Sequence, residues 1–188
     1  MGYLTDSEVK DLGLAHVGEL VLISDRAVIQ NANLVSIGDR SRIDDFSIVS
    51  GMVTIGKNVH IAVYAHLSGG ETGIDLRDFS GVAFGGQIFA ESDDYSGNSL
   101  TNPTVAREFK TPVCGTVIIN RHVIIGAHTV IMPGVEIGEG TAVGSLSLVN
   151  RSIDSWGIFS GIPVKRLKNR SKKLLELERE YLFDLNQK

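Results

Sequence analysis

An all-β chain wound as a parallel β-helix is the fold class that the sequence predicts, and three observations point to it. Aliphatic residues recur every six positions, at Ile37, Ile43, Val49, Ile55, Ile61 and Leu67, then Leu76, Val82 and Ile88, then Ile119, Ile125, Ile131, Ile137, Val143 and Val149. The 188 residues include 21 glycines but only 4 prolines and 6% aromatics, a composition suited to many tight turns around a narrow aliphatic interior. One long polar stretch breaks the repeat and then lets it resume. Six is neither a helical period nor a simple strand period. A short strand and a turn, repeated three times, makes a triangular coil of about eighteen residues with its recurring aliphatics pointing inward. Such coils stack about 4.8 Å apart.

In chain order, Val17, Ile23 and Ile29 form an opening run offset by two residues from the main phase. The repeat then runs without a break to Leu67. A small irregularity follows at Ser68 to Gly73, and residues 90–112, "AESDDYSGNSLTNPTVAREFKTP", leave the pattern altogether. That segment is polar, contains two prolines and reads as one long protruding loop, of a length that is usually functional or disordered. The repeat ends near Val149. "SKKLLELEREYLFDL" then reads as a helix on which Leu174, Leu175, Leu177, Tyr181 and Leu182 make an apolar stripe. This helix and the terminal segments are expected to cover an open coil end.

Bulk charge narrows the function classes. With 18 Lys and Arg against 22 Asp and Glu the formal charge is −4, which disfavours a broadly basic nucleic-acid-binding surface. The single cysteine, Cys114, rules out an internal disulfide framework and cysteine-rich metal sites, and fits a reducing compartment. No stretch has the pattern of a signal peptide or the length of an integral membrane segment, so the expectation is a soluble, cytoplasmic protein.

The segment "VIINRHVIIGAHTVIMPGVEIGEGTAVGSLSLVNRSIDSWGIFSGIPVKRLKNR", with Gly-Ile-Pro-Val-Lys after the last repeats, resembles the hexapeptide-repeat acyltransferases. The likeness is greatest to the maltose, galactoside and lipopolysaccharide sugar acetyltransferases, and it covers roughly residues 17 to 168. It implies a left-handed β-helix, acetyl-CoA as donor, and a sugar or nucleotide-sugar acceptor. It also implies a homotrimer with active sites between subunits and a place in cell-surface polysaccharide biosynthesis. The expected division is a β-helix acyltransferase domain over residues 1–168, carrying the loop 90–112, and a C-terminal helical extension over residues 169–188.

Acyl transfer from a thioester to a sugar hydroxyl or amine needs a base for the acceptor proton and donors for the charged tetrahedral oxygen. The family commonly places a histidine in the long loop, and residues 90–112 contain none. His60 and His66 each precede an inward aliphatic, so both face outward. Leu67 and Ile88 should share a face on successive coils, which sets His66 beside Gln87 at the base of the loop. His66 is therefore the leading candidate for the base, with His60 on the adjoining side behind it. His122 and His128 occupy matching turn positions. Asp93 and Asp94 stand where related enzymes carry the loop histidine and are candidates for orienting a base or binding the acceptor. For the donor, the resemblance points to Gly126, Ala127, Gly144 and Ser145 along the pantetheine arm and to Lys165, Arg166 and Lys168 near the phosphates. Two other readings remain open: a noncatalytic binding scaffold, and a metal enzyme like the gamma-class carbonic anhydrases. His60, His66, His122 and His128 lack the ligand spacing of that metal family.

Overall fold

The computed structural model describes residues 2–185 and Gln187; Met1, Asn186 and Lys188 of the expected domains lie outside the described residues. The chain winds as a left-handed parallel β-helix of triangular section. Its first face stacks His16–Val17, Val35–Ile37, Val53–Ile55, Ile74–Leu76, Val117–Ile119 and Glu136–Ile137. The second face stacks Leu22–Ile23, Arg42–Ile43, His60–Ile61, Gly81–Val82, Ile124–Ile125, Ala142–Val143 and Gly157–Gly161. The third stacks Val28–Gln30, Ile48–Ser50, His66–Ser68, Gln87–Phe89, Val130–Ile131 and Leu148–Val149.

All fifteen recurring aliphatics from Ile37 to Val149 are buried, one per face per coil. Each fully buried Ile or Leu contributes about 1.5–3 kcal/mol over its exposed state, and the column they form is the core. Val17, in the opening run, is exposed, whereas Ile23 of the same coil is buried where the N-terminal segment crosses it and Leu4 N bonds Ile23 O. Two corners use residues with positive φ that are not glycine. Asn58, Phe79, His122 and Trp156 lie at the first-to-second corner, and Phe46, Tyr64, His128 and Leu146 at the second-to-third corner. Bulky residues seldom adopt this conformation. Here the coil stacking fixes it, since each corner amide bonds the carbonyl one coil away, as from Tyr64 N to Asp45 O and from His128 N to Phe84 O. Gly85 and Gly140 occupy the same corner columns for a different reason: a Cβ on either would meet His128 Nδ1 or the Trp156 ring at 2.5 Å.

The coil ends are closed by segments of different kinds. A short helix α1 (Asp6–Asp11), held by a capping box between Thr5 and Glu8, brings Val9 into the core at the N-terminal end. At the other end an antiparallel hairpin of Gly157–Gly161 and Val164–Asn169 buries Phe159 and Val164. This last strand runs across the boundary expected at residue 168. Helix α2 (Leu174–Leu185) does not cap a coil end as the sequence suggested. It lies along the first-to-second corner, where Tyr181 Oη donates to Asn58 Oδ1 over 3.1 Å. Its buried residue is Glu178, while Leu177 and Tyr181 of the expected apolar stripe stay exposed, because the surface beneath is a row of polar and aromatic corner residues. Among the described residues no helix is long and apolar enough to cross a membrane.

Candidate active site

His66 sits in the middle of the third face, paired in register with Ile48 on one side and Gln87 on the other. Its ring meets Phe89 edge-on, with centroids 5.6 Å apart and planes at 80°. Partial burial lowers the imidazole pKa below its usual value, because desolvation disfavours the charged form. Neither ring nitrogen has a hydrogen-bond partner among the described residues. A half-buried imidazole whose neutral form is favoured and whose nitrogens are free of hydrogen bonds to the described residues is suited to accept a proton.

The long loop leaves the third face just after Phe89, one coil beyond His66. Antiparallel pairing of Glu91–Ser92 with Val113–Cys114 closes its base, and Arg107 ties it to Glu71 of the body at 3.3 Å. Within it Asp94 accepts from Ser96 N at 2.8 Å and from Ser99 N and Oγ at 3.1 and 3.2 Å. Bonds to Ser96, then to Ser99, hold its carboxyl below the usual carboxylate range. Asp93 accepts from Asn102 N with both oxygens at 3.2 Å. The two acids thus shape the loop, and among the described residues neither is hydrogen-bonded to His66. A cleft of about 460 Å³ under the loop is lined by Glu71, Glu91, Asp93, Arg107, Lys110 and Cys114. Burial first, then Glu91 and Glu71, raise the Cys114 thiol above its ordinary pKa, which disfavours the nucleophilic thiolate.

The other histidines separate cleanly. His122 is buried, stacked on Phe79 and bonded to Glu178 Oε2 at 2.9 Å, so it anchors α2. His128 is exposed and lies over Gly85. His60, on the second face, belongs to a cluster that sequence reasoning missed. Asp44, almost fully buried, accepts from Arg42 Nη2 at 3.0 Å, and its Oδ2 lies 2.8 Å from His60 Nε2; Arg42 Nη2 is 3.1 Å from the same nitrogen. A signal was present: residues eighteen apart stack, so Arg42 had to lie beneath His60, with Asp44 one turn position further on.

The donor candidates divide into spacing and binding groups. Gly126 and Gly144 are places where successive coils approach too closely for a Cβ, the first against Ser145 N and the second against Ser160 Oγ. Their own amides are spent on Val143 O and Phe159 O. The amides of Ala127 and Ser145, at the second-to-third corner, have no partner among the described residues. Lys165, Arg166 and Lys168 are exposed on the terminal strand. Arg166 Nη2 bonds Asn169 Oδ1 at 2.9 Å and its guanidinium lies over Phe159, whereas the two lysines have no ion-pair partner among the described residues.

No protein-family model matches the chain. It is 39% identical over 181 residues to an Escherichia coli dTDP-4-amino-4,6-dideoxy-D-glucose acyltransferase, covering 95% of this chain and 94% of that one. The structure superposes on AntD, an N-acyltransferase from Bacillus cereus in complex with dTDP and 3-hydroxybutyryl-CoA. The TM-score is 0.96 and the identity 47%, over 98% of both chains. A serine-to-alanine form of the same enzyme, in complex with dTDP-4-amino-4,6-dideoxyglucose and coenzyme A, also gives a TM-score of 0.96 at 48% identity, over 97% of this chain and 98% of that one.

Proposed function

The chain belongs to the hexapeptide-repeat, left-handed β-helix acyltransferases, and from that premise we propose that it moves an acyl group from coenzyme A to the amine of a dTDP-linked 4-amino sugar. The observation that carries this reading is the likeness, over nearly the whole chain, to a dTDP-4-amino-4,6-dideoxy-D-glucose acyltransferase and to AntD, an N-acyltransferase in complex with such a sugar and coenzyme A. It is joined by a neutral imidazole beside an acidic loop on the third face. The acidic loop suits such an acceptor, because a sugar ammonium is drawn to Asp93 and Asp94 before it loses its proton. The active form is a homotrimer, as the sequence resemblance implies.

In the proposed reaction His66 takes a proton from the acceptor nitrogen as that nitrogen attacks the thioester carbonyl. A C–N bond forms, the C–S bond breaks, and the imidazolium returns the proton to the departing coenzyme A thiolate. The free amides of Ala127 and Ser145 line the path of the pantetheine arm, and Lys165, Arg166 and Lys168 meet the phosphates. Acetyl is the simplest acyl group for this donor, and 3-hydroxybutyryl is the other to weigh. A place in cell-surface polysaccharide assembly follows from the same reading, because acylated nucleotide sugars are glycosyl donors.

The test is direct. Purified protein is incubated with dTDP-4-amino-4,6-dideoxyglucose and either acetyl-CoA or 3-hydroxybutyryl-CoA, with thiol release and product mass as readouts. An N-acylated dTDP-sugar is expected. Acylation of a sugar hydroxyl in preference to the amine would overturn the choice of acceptor.

A further inference from the structure

The second-to-third corner carries a run of exposed apolar side chains, with the Arg26 guanidinium 5.9 Å from the Phe46 ring centroid and the exposed His128 further along. Phe46, Tyr64 and Leu146 are 45%, 63% and 67% exposed there, with Phe84 in the adjoining column at 59%. Phe46 and Tyr64 stack with centroids 5.2 Å apart, so the edge is ordered rather than loose. Toward the two ends of the stack both faces meeting at this edge are apolar, whereas the middle coils carry Arg42, His60 and Gly81 on the second face and Ile48, His66 and Gln87 on the third. The second face presents Leu22, Ile124 and Ala142 where the third, on the same coils, presents Val28, Val130 and Leu148. The first face, by contrast, is polar, with Arg77, Asp75, Asn120 and Glu136 bonded along it.

A ring of copies closing on this edge sets the second face of one copy toward the third face of the next, a heterologous contact that closes. Three triangular corners of about 60° fill only half of the circle around the edge, so each neighbouring pair is left with a wedge-shaped cleft. Rotation about an axis parallel to the coils keeps every residue at its own level. His60 and His66 belong to the same coil, one on each face flanking the Tyr64 corner. In such a ring His66 of one subunit and His60 of the partner subunit stand at one level across one cleft.

Sites between subunits are what the family resemblance implies; beyond that, we propose that the Arg42–Asp44–His60 cluster of one subunit orients His66 of the next across each cleft. Asp44 Oδ2 and Arg42 Nη2 both approach His60 Nε2, at 2.8 and 3.1 Å; in the proposed tautomer Nε2–H donates to Asp44, Arg42 donates to the same carboxylate, and Nδ1 is the free acceptor of that ring. Nδ1 then accepts from one N–H of the facing His66 and holds the other His66 nitrogen as the lone pair that takes the acceptor proton. The order carboxylate, imidazole, reacting base is the general logic of a base held by a third group, split between two chains. His60 is a positioning residue, and its role rests on the reading of His66 as the base.

Subunit mixing tests the arrangement. His60→Ala and His66→Ala should each remain trimeric and lower kcat about 100-fold, with both KM values changed less than about twofold. His60→Gln and Asp44→Asn serve as milder variants that spare the half-exposed corner, and each should lower kcat in the same sense. The two alanine variants, coexpressed with different tags and purified through both, form mixed trimers with one intact site in three. Without the tag selection, random assembly returns about a quarter of wild-type turnover. Recovery in the mixed trimers supports the composite site. No recovery, normal turnover of His60→Ala, or a monomeric wild type overturns it. Loss with His66→Ala beside normal turnover with His60→Ala sinks this inference alone, whereas normal turnover of His66→Ala removes the reading on which it rests.

Discussion

Glu178 Oε2 lies 2.9 Å from His122 Nε2, joining α2 to a corner residue 56 positions earlier in the chain. Both side chains are buried, the other carboxylate oxygen takes Arg121, and the imidazole stacks on Phe79. Arg170 adds a second tie, donating from Nη1 to His122 O, Gly140 O and Thr141 O. The helix is fixed to the coil by a polar lock where the sequence pattern had suggested an apolar stripe.

Glu178→Ala should therefore loosen α2 without unwinding the coil. Removing one partner of a buried pair costs about 3–5 kcal/mol, and most of it should fall on the helix. Proteolysis would cut near residue 172 in the variant and not in the wild type, while the thermal transition of the β-helix moves little. An undisturbed helix would mean that Tyr181 and Arg170 hold it alone.

The coil was legible because its signal is repeated fifteen times and each repeat answers to the same physical demand, an aliphatic side chain at an inward position. Phase arithmetic also placed His66 beside Gln87, as the register shows. What stayed hidden depended on contacts between residues far apart in the chain. Glu178 reads as one more charge on an amphipathic helix until His122 and Arg121 are seen beneath it. Asp44 reads as a solvated turn acid, although the eighteen-residue coil already stacks Arg42 under His60. Helix α1 was missed because six residues are too few for a periodic signal, and its capping box, Thr5 with Glu8, was the cue available.

Gly126→Ala should destabilise the protein and leave donor affinity nearly unchanged in the folded fraction. The added Cβ would run into the backbone of Ser145 on the next coil, and overpacking of this kind costs about 1–3 kcal/mol. Thermal unfolding and coenzyme A titration separate the two effects. A large loss of affinity with unchanged stability would assign Gly126 to ligand contact rather than to coil spacing.

Replacing Asp93 and Asp94 together by Asn should raise the acceptor KM at least about tenfold, with donor affinity within about twofold of wild type. Asp94→Asn by itself exchanges a charged acceptor for a neutral one at Ser96 and Ser99, so the loop should also become a better protease substrate. Unchanged acceptor kinetics in the double variant would confine both acids to holding the loop.

Lys165→Ala combined with Lys168→Ala should weaken coenzyme A binding far more than binding of the same pantetheine arm without its nucleotide. Both side chains are exposed and free of ion pairs among the described residues, so their loss should leave the hairpin folded. The effect should shrink as salt rises, since exposed charges are screened over about 10 Å at 0.1 M. Equal weakening of both ligands would place the phosphates elsewhere.

The pH dependence of turnover follows from the direction of the His66 shift. Burial lowers its pKa, so the imidazole stays neutral as the pH falls through the ordinary value of about 6.5 and gains its proton only further down. With both substrates saturating, kcat should hold through pH 6.5 and fall beneath it. The same shift acts on folding: the unfolded chain binds this proton first, so the contribution of a neutral His66 is present above about pH 6.5 and is lost as the pH drops toward the folded pKa. An acceptor amine adds its own limb at higher pH, near the value of about 7.7–8.0 for an α-amino group, and it is seen in kcat/KM. His66→Ala should remove the lower limb and keep the upper one. Persistence of the lower limb in that variant would pass the role of base to another group in the cleft.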